Sequence, residues 1–135
     1  MIRWLRKLSM RKVFLPLLLA VLCTIADTAR CQSPSSFQMS CSNLGVSGST
    51  LFALCQRIDG SFNQSSIAIL GIENINGQLR LTSWPQPSSY QKSCSNIGVS
   101  GSTLFAECRR IDGSSNRTSI LIPGIANING VLQYQ

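Results

Sequence analysis

Hydrophobic and polar residues alternate with a period of two in two stretches of this chain. In residues 49–55, Leu51, Ala53 and Cys55 fall on one face of an extended backbone, and residues 102–108 repeat the alternation. Because successive side chains of a β-strand point to opposite faces, this period predicts two strands with one buried face each.

Turn signals and further strands follow each of these stretches. Asp-Gly pairs at 59–60 and 112–113 predict turns, and stretches rich in β-branched residues at 66–69 and 119–122 predict short strands. Asn-Gly pairs at 76–77 and 129–130 lie between apolar flanks, which is typical of a two-residue type I′ hairpin. No stretch after residue 31 has helical periodicity, so the pattern predicts an all-β fold with only a few helical turns.

These signals occur twice because residues 41–82 are repeated as residues 94–135, 53 positions further on. Between 41–79 and 94–132, 29 of 39 positions are identical. A unit of about 40 residues is near the lower limit for an independent hydrophobic core, so we expect the copies to share one core. The repeat therefore predicts one domain with two-fold pseudosymmetry, since solenoids and propellers stack at least three units.

The first 31 residues have a different character. Basic residues between positions 3 and 12 precede an apolar run of about 14 residues, 13–26, that ends in small side chains. This order is typical of a secretory signal peptide, and the alternative, a membrane anchor, needs about 20 apolar residues. Cleavage after Ala26 or after Cys31 fits the pattern, and the later position leaves four cysteines that can pair completely.

We therefore expect residues 1–31 to be a signal peptide and residues 32–135 to be a secreted, extracellular domain that does not associate with a membrane. This domain divides into repeat 1 (about 37–82), a connector (82–89) and repeat 2 (about 90–135). Two prolines restrict the connector to extended conformations. The connector decides whether the copies fold back on each other in a monomer or exchange in a domain-swapped dimer.

The charge of the secreted domain argues against nucleic acid as a partner. Removal of residues 1–31 takes six of the twelve basic residues and one of the five acidic residues, which leaves a formal charge of +2. The remaining basic residues are dispersed, whereas nucleic-acid binding needs a basic stripe.

The four cysteines of the domain predict two disulfides. Cys41 and Cys55 are 14 residues apart, and so are Cys94 and Cys108. Three connectivities are possible, and pairing within each copy is the one that respects the repeat. A zinc site is the competing explanation, but these spacings lack short Cys-x-x-Cys pairs and the chain has no histidine. We expect no metal and no cofactor.

An enzyme is not expected either. Without histidine, the chain has no Ser-His or Cys-His pair. Asp59 and Asp112 are copies of one another in Asp-Gly turns, so nothing in the sequence places two carboxylates across a cleft.

Several motifs together resemble the cyanovirin-N homology family. They are a Cys-x-Asn opening to each copy, the second cysteine 14 residues on, Asn-x-x-Ser-Ile, and the closing Asn-Ile-Asn-Gly-x-Leu. The match runs from about residue 36 to residue 135. The resemblance implies a pseudosymmetric β-fold in which each half combines a triple-stranded sheet with a hairpin, partly contributed across the repeat boundary. It also implies a lectin for mannose-rich glycans or glycoproteins, without metal, with two sugar sites at opposite ends.

The resemblance assigns residues to both sites. The central site comprises Glu73, Asn74, Ile75, Asn76, Ser88, Ser89, Lys92, Ser93, Arg109 and Arg110. The terminal site comprises Ser36, Met39, Ser40, Gln56, Ile58, Asn127, Ile128 and Asn129. The asparagines can supply donors and acceptors to sugar hydroxyls, or they can simply be the residues that a type I′ turn requires.

Departures from the family pattern rank the two sites. Met39 and Ile58 in the terminal site, and Gln56 and Lys92, replace residues with polar or carboxylate side chains, so charge-assisted hydrogen bonds to a sugar are lost. We therefore expect the central site to bind more strongly. The same departures favour an alternative, a secreted protein-interaction module on the same disulfide-bonded scaffold that has lost sugar binding.

Two N-glycosylation patterns occupy equivalent positions in the copies. Asn63-Gln-Ser and Asn116-Arg-Thr each follow an Asp-Gly turn. If the host is a eukaryote, we expect at least one of Asn63 and Asn116 to carry a glycan.

Overall fold

The computed structural model describes residues 33–135, and the expected signal peptide and its cleavage positions lie outside these residues. Short 3-10 turns occur at Phe37–Met39 and Tyr90–Lys92. The strands are β1 (Cys41–Ser47), β2 (Thr50–Gln56), β3 (Phe62–Ala68), β4 (Ile72–Ile75), β5 (Gln78–Leu81), β6 (Cys94–Ser100), β7 (Thr103–Arg109), β8 (Ser115–Leu121), β9 (Ile125–Ile128) and β10 (Val131–Tyr134). No helix in this part of the chain is long and apolar enough to cross a membrane.

Each copy forms one three-stranded antiparallel sheet and one hairpin, which confirms the expected fold class. The sheets are β1–β2–β3 and β6–β7–β8, and the hairpins are β4–β5 and β9–β10. In β2 the predicted face, Leu51, Ala53 and Cys55, is buried, whereas Phe52 is 43% exposed. The alternation read from the sequence therefore marks the inner face of the central strand.

The disulfides follow from the strand register. Cys41 of β1 lies opposite Cys55 of β2, and Cys94 lies opposite Cys108 in the second sheet. Both pairs are bonded, so the pairing within each copy is confirmed. Among residues 33–135 no cysteine is free.

Each hairpin packs on the sheet of the other copy. The backbone amide of Leu132 in β10 donates to Ser65 Oγ in β3 at 2.9 Å, and that of Leu79 in β5 donates to Thr118 Oγ1 in β8 at 3.1 Å. Strand β10 thus packs against β3, and β5 against β8. The hairpins are therefore contributed across the repeat boundary, as the resemblance implies.

One core contains side chains from both copies. Phe37 and its counterpart Tyr90 are fully buried, as are Leu51 and Leu104. The Tyr90 hydroxyl donates to the Gly48 carbonyl at 2.7 Å, so its polar atom is satisfied at the edge of the other copy. The shared core expected from the small size of one copy is present.

The connector and the segment before repeat 1 make equivalent contacts. In the connector, Ser88 is 4% exposed and its Oγ accepts the backbone amide of Ile72 at 2.9 Å. Its counterpart Ser35 is 7% exposed and accepts the amide of Ile125 at 3.0 Å. Each of these buried serines anchors the first residue of a hairpin strand, so residues 33–36 do for repeat 2 what the connector does for repeat 1.

Candidate functional site

Both hairpins turn through an Asn-Gly pair with left-handed backbone. Asn76 and Gly77 have φ of 49° and 87°, and Asn129 and Gly130 have 50° and 88°. Positive φ at both central residues is the requirement of the type I′ turn that the sequence predicts, and Asn and Gly are the residues that tolerate it.

Asn74 fixes the first hairpin onto the second copy. Its Nδ2 donates to Ser93 Oγ at 2.8 Å and to the Arg109 carbonyl at 2.9 Å, while its Oδ1 accepts the amide of Gly77 at 2.7 Å. Both amide hydrogens and one acceptor position are therefore used inside the protein. Asn74 is a structural residue of the central site, with at most one lone pair left for a ligand.

The side chain of Asn76 has one polar atom bonded within the protein and one that faces solvent. Its Oδ1 accepts the amide of Ile111 at 2.9 Å, which joins the turn to the loop after β7. Its Nδ2 donates to no protein group among the described residues, and Asn76 is exposed. The two readings of this asparagine are thus compatible, because the carbonyl serves the fold and the amide hydrogens face water.

Arg110 and Asn116 support the turn from below. Asn116 Nδ2 donates to the Gly77 carbonyl at 2.8 Å, and Arg110 Nη2 donates to Asn116 Oδ1 at 2.8 Å. A Cβ added to Gly77 would lie 2.7 Å from Arg110 Cγ. The guanidinium of Arg110 is therefore a packing and hydrogen-bonding group of the fold, and sequence reasoning missed the supporting role of Asn116.

The terminal site repeats this geometry. Asn127 Nδ2 donates to Ser40 Oγ at 2.8 Å and to the Gln56 carbonyl at 2.9 Å, and Asn129 Oδ1 accepts the amide of Ile58 at 2.9 Å. Arg57, which sequence reasoning did not assign, donates from Nη2 to Asn63 Oδ1 at 2.9 Å, as Arg110 does in the other half. The sequence does hold a signal for this role, because the same Arg and Asn recur in the second copy as Arg110 and Asn116.

The two sites differ at three positions, which in the central site carry exposed or half-buried charged side chains. Glu73, Lys92 and Arg109 of the central site correspond to Ala126, Met39 and Gln56 of the terminal site. Glu73 Oε1 accepts from Thr82 Oγ1 at 2.6 Å, and the side chains of Lys92 and Arg109 make no hydrogen bond within residues 33–135. Met39 is 84% exposed. The central site therefore carries more unused polar groups.

The remaining predicted residues differ in their exposure to solvent. Ile75 and Ile128 are exposed beside their turns, at 46% and 42%. Ser36 and Ser89 are equivalent, and their backbone amides donate to Ile125 and Ile72. Ser88 is buried in the bond to Ile72 described above, so its hydroxyl is not available to a ligand.

The loop that carries Ile111 is ordered by a carboxylate. The Ser114 hydroxyl and the Ser114 amide donate to Asp112 Oδ1 at 2.6 and 2.9 Å. These bonds hold the pKa of the Asp112 carboxyl below its ordinary value. Asp59 and Ser61 form the same arrangement, with the same direction of pKa shift. Within residues 33–135, no group of three or more His, Cys, Asp or Glu side chains could hold a metal ion.

We expect Ser114→Ala to raise the pKa of Asp112, because it removes the side-chain hydrogen bond that lowers this pKa most. The pKa of Asp59 should not change. A depressed pKa means that the ionised form orders the loop at pH above the unfolded pKa, and that this order is lost as the pH falls through the folded pKa. Carboxyl NMR titration of the protein and of Ser114→Ala measures both groups. Ser61→Ala is the matched control and should shift Asp59 alone. An unchanged Asp112 would contradict the prediction.

Comparison with known proteins gives this arrangement a family. The sequence model of the CVNH domain family matches residues 37–133. The chain belongs to the cyanovirin-N homology (CVNH) family. A CVNH structure from T. borchii is 28% identical, covers 74% of this chain and 99% of its own, and has a TM-score of 0.63.

Two further solved structures with a similar fold are complexes with sugars. Microvirin in complex with mannobiose is 24% identical, covers 75% of this chain and 99% of its own, and has a TM-score of 0.59. A variant of MoCVNH3 in complex with (N-GlcNAc)4 is 22% identical, covers 75% of this chain and 97% of its own, and has a TM-score of 0.62. At this identity these structures establish the shared CVNH fold.

In this CVNH domain the two glycosylation patterns lie under the hairpin turns. Asn63 Nδ2 donates to the Gly130 carbonyl at 2.7 Å, as Asn116 Nδ2 does to Gly77. Both side chains are half-buried. Attachment of a glycan would replace one hydrogen of this nitrogen and place a sugar beside the turn. The glycan on Asn63 or Asn116 stays a prediction, and the protein's mass before and after a peptide N-glycosidase tests it.

Proposed function

We propose that this CVNH domain is a lectin that binds mannose-rich oligosaccharides, without metal, at the two hairpin ends, and that the central site is the stronger. Membership of the family supports this proposal, as do the complexes of microvirin with mannobiose and of the MoCVNH3 variant with a GlcNAc oligomer. The sugar hydroxyls would meet polar groups that the fold leaves unused.

The observation that carries the proposal is the contrast between used and unused groups at the central site. Asn74 is committed to the fold, since its amide joins the first hairpin to Ser93 Oγ and to the Arg109 backbone carbonyl. The amide hydrogens of Asn76 and the exposed Arg109 guanidinium make no hydrogen bond within residues 33–135. Rigid placement of a few donors and acceptors is what recognition of adjacent hydroxyls requires, because little ordering is needed on binding.

Exchange of side chains between the sites tests the ranking without disturbing the fold. We expect Lys92→Met with Arg109→Gln, which gives the central site the residues of the terminal site, to lower its affinity for a mannose-rich oligosaccharide about tenfold through lost hydrogen bonds to charged groups. All four positions involved are exposed, so stability should not change. The reciprocal variant Met39→Lys with Gln56→Arg should strengthen the terminal site. Calorimetric titration that found equal affinities in all three proteins would contradict the ranking.

Exposed apolar side chains favour a second candidate, a protein-interaction module on the same scaffold. Ile58 and Ile111 are each 91% exposed beside the hairpin turns, and Met39 is 84% exposed at the terminal site. Exposed large apolar side chains suit a protein partner better than a sugar hydroxyl. A glycan array probed with the oxidised protein separates the candidates, because a module of this kind would bind no glycan.

We also propose that the protein is secreted after removal of residues 1–31. The basic and apolar pattern of that segment supports the proposal, and so does the disulfide bonding of the remaining domain, which fits an oxidising route. N-terminal sequencing of the protein from the culture medium is expected to begin at residue 32. A start at residue 27 would leave Cys31 as an odd thiol, and an uncleaved chain would contradict the proposal.

A further inference from the structure

A groove with a volume of about 510 Å³ lies on the outer face of the second sheet. Asn96 of β6, Phe105 and Glu107 of β7, and Arg117 and Ser119 of β8 line it. None of these residues belongs to the central or the terminal site. Because Phe105 and Glu107 are two residues apart on one strand, their side chains stand on the same face of the sheet.

Phe105 forms an apolar platform in the groove. A Cβ at Gly98 would lie 2.5 Å from Phe105 Cζ, so the ring reaches over β6 at a position where only glycine leaves room for it. The side chain is nevertheless 43% exposed. An aromatic ring that is held by the sheet and open to water offers a face with negative partial charge, to which C–H groups of a ligand are attracted.

Polar side chains stand next to this platform. Glu107 Oε1 accepts from Asn96 Nδ2 at 3.0 Å, and Glu107 Oε2 accepts from Arg117 Nε at 3.4 Å. Arg117 is 89% exposed, and its terminal nitrogens make no hydrogen bond within residues 33–135. The groove therefore places a carboxylate, a carboxamide and a guanidinium side by side, and the two formal charges cancel.

The first copy retains the platform and lacks the polar pair. Phe52 covers Gly45 as Phe105 covers Gly98, and the equivalent groove, of about 310 Å³, is lined by Asn43, Leu54 and Gln64. Leu54 and Gln64 are the counterparts of Glu107 and Arg117, and both pairs are direct cross-strand neighbours. The two copies thus differ at both members of one pair, on a scaffold that is otherwise nearly the same.

We propose that the groove on the second sheet is an additional carbohydrate site that takes one neutral hexopyranose unit of a glycan. The C–H face of the sugar stacks on Phe105, adjacent hydroxyls bridge Glu107 and Arg117, and Asn96 orients the carboxylate. Cancellation of the formal charges favours a neutral sugar over a uronate or a phosphorylated sugar. A peptide is disfavoured because Phe105 is the one large apolar side chain in the lining. This inference does not rest on the hairpin-end sites.

The test is NMR titration of the ¹⁵N-labelled secreted protein with mannobiose, a GlcNAc tetramer and cellotetraose as neutral probes, and with a trigalacturonate as acidic probe. We expect at least one neutral probe to shift the amides of Phe105, Glu107 and Arg117 saturably. The amides of Asn74 and Asn127 report the hairpin ends separately, so failure at either place is visible independently of the other.

Exchange between the copies supplies the matched variants. Glu107→Leu with Arg117→Gln installs the residues that the first copy carries at the same strand positions, so the fold should be kept, and we expect the groove's affinity to fall about tenfold or more. Leu54→Glu with Gln64→Arg should create binding shifts around Phe52. The proposal is overturned if no neutral probe shifts the groove, if only trigalacturonate does, or if the Glu107→Leu, Arg117→Gln protein binds as well as the original.

Discussion

Replacement of Cys94 and Cys108 together by alanine is expected to lower the free energy of unfolding by about 3 kcal/mol. The bond closes a loop of about 15 residues, and the chain-entropy model assigns a constraint of that length about this effect on the unfolded state. Cys108 is also fully buried in the shared core, so the loss of its sulfur removes packing as well. Chemical denaturation monitored by tryptophan and tyrosine fluorescence measures the change.

Replacement of Cys41 and Cys55 is the matched experiment. The loop has the same length, and Cys55 is as deeply buried as Cys108, so an equal loss is expected. Because the two hairpins are exchanged between the copies, unfolding of either half should remain cooperative with the other. A loss below about 1 kcal/mol in either variant, or two separate transitions, would contradict the argument.

The sequence pattern predicts a strand well where its inward side chains are apolar and pack in the core. It predicts a strand less completely where the inward side chains are polar and bond the backbone of another element. The burial of alternate residues in β2 and β7 was predictable because Leu51 and Leu104 mark the inner face. Strand β3 begins at residue 62, earlier than the predicted 66, because its inward residues there are Asn63 and Ser65. These side chains are polar since they bond the backbone of the opposite hairpin, a partner that no local pattern reveals.

The sequence predicts which residues make up the candidate site. It does not predict which of their polar groups bond within the protein and which stay free. Hairpin turns at Asn76 and Asn129 follow from local turn chemistry, which needs no knowledge of the partner copy. By contrast, the Asn74 amide donates to Ser93 and to the Arg109 carbonyl, which lie 19 and 35 residues away in the chain. Local sequence does not reveal these partners. An alanine at residue 74 would therefore weaken hairpin docking as well as the proposed sugar binding. The exposed Lys92 and Arg109 are for this reason better probes of the central site.

The two copies show which surfaces are free to differ. The arginines that support the hairpin turns, Arg57 and Arg110, are the same in both copies, because each sheet receives the same kind of hairpin. The hydroxyl that accepts from the hairpin is also kept, as Ser65 in one copy and Thr118 in the other. Among residues 33–135, no hairpin packs on the outer sheet faces, and there the copies differ in charge, as Leu54 and Glu107 do. At the hairpin ends the docking hydrogen bonds are shared, and the copies differ in exposed side chains beside them, as Gln56 and Arg109 do. Ligand recognition is consequently expected to be unequal between the halves while their stability is similar.

Gly77→Ala is expected to destabilise the protein by about 3 kcal/mol and to weaken the central site. Gly77 has φ of +87°, which an alanine adopts only with strain of about 1 to 2 kcal/mol. In addition the new Cβ would lie 2.7 Å from Arg110 Cγ and 3.2 Å from Asn116 Cβ. Relief of this overlap moves either the turn or Arg110, and both movements break the hydrogen bonds that dock the hairpin.

Other glycines separate the two causes of that loss. Gly113 has φ of +90° with no atom within 4 Å of an added Cβ, so Gly113→Ala should show the strain alone, about 1 to 2 kcal/mol. Gly130 meets Arg57 Cγ at 2.7 Å, as Gly77 meets Arg110, so Gly130→Ala should match Gly77→Ala in stability. It should weaken the terminal site instead of the central one. Denaturation midpoints and oligosaccharide titration of the three variants decide this, and equal losses for Gly77→Ala and Gly113→Ala would mean that close packing under the turn does not hold the hairpin in place.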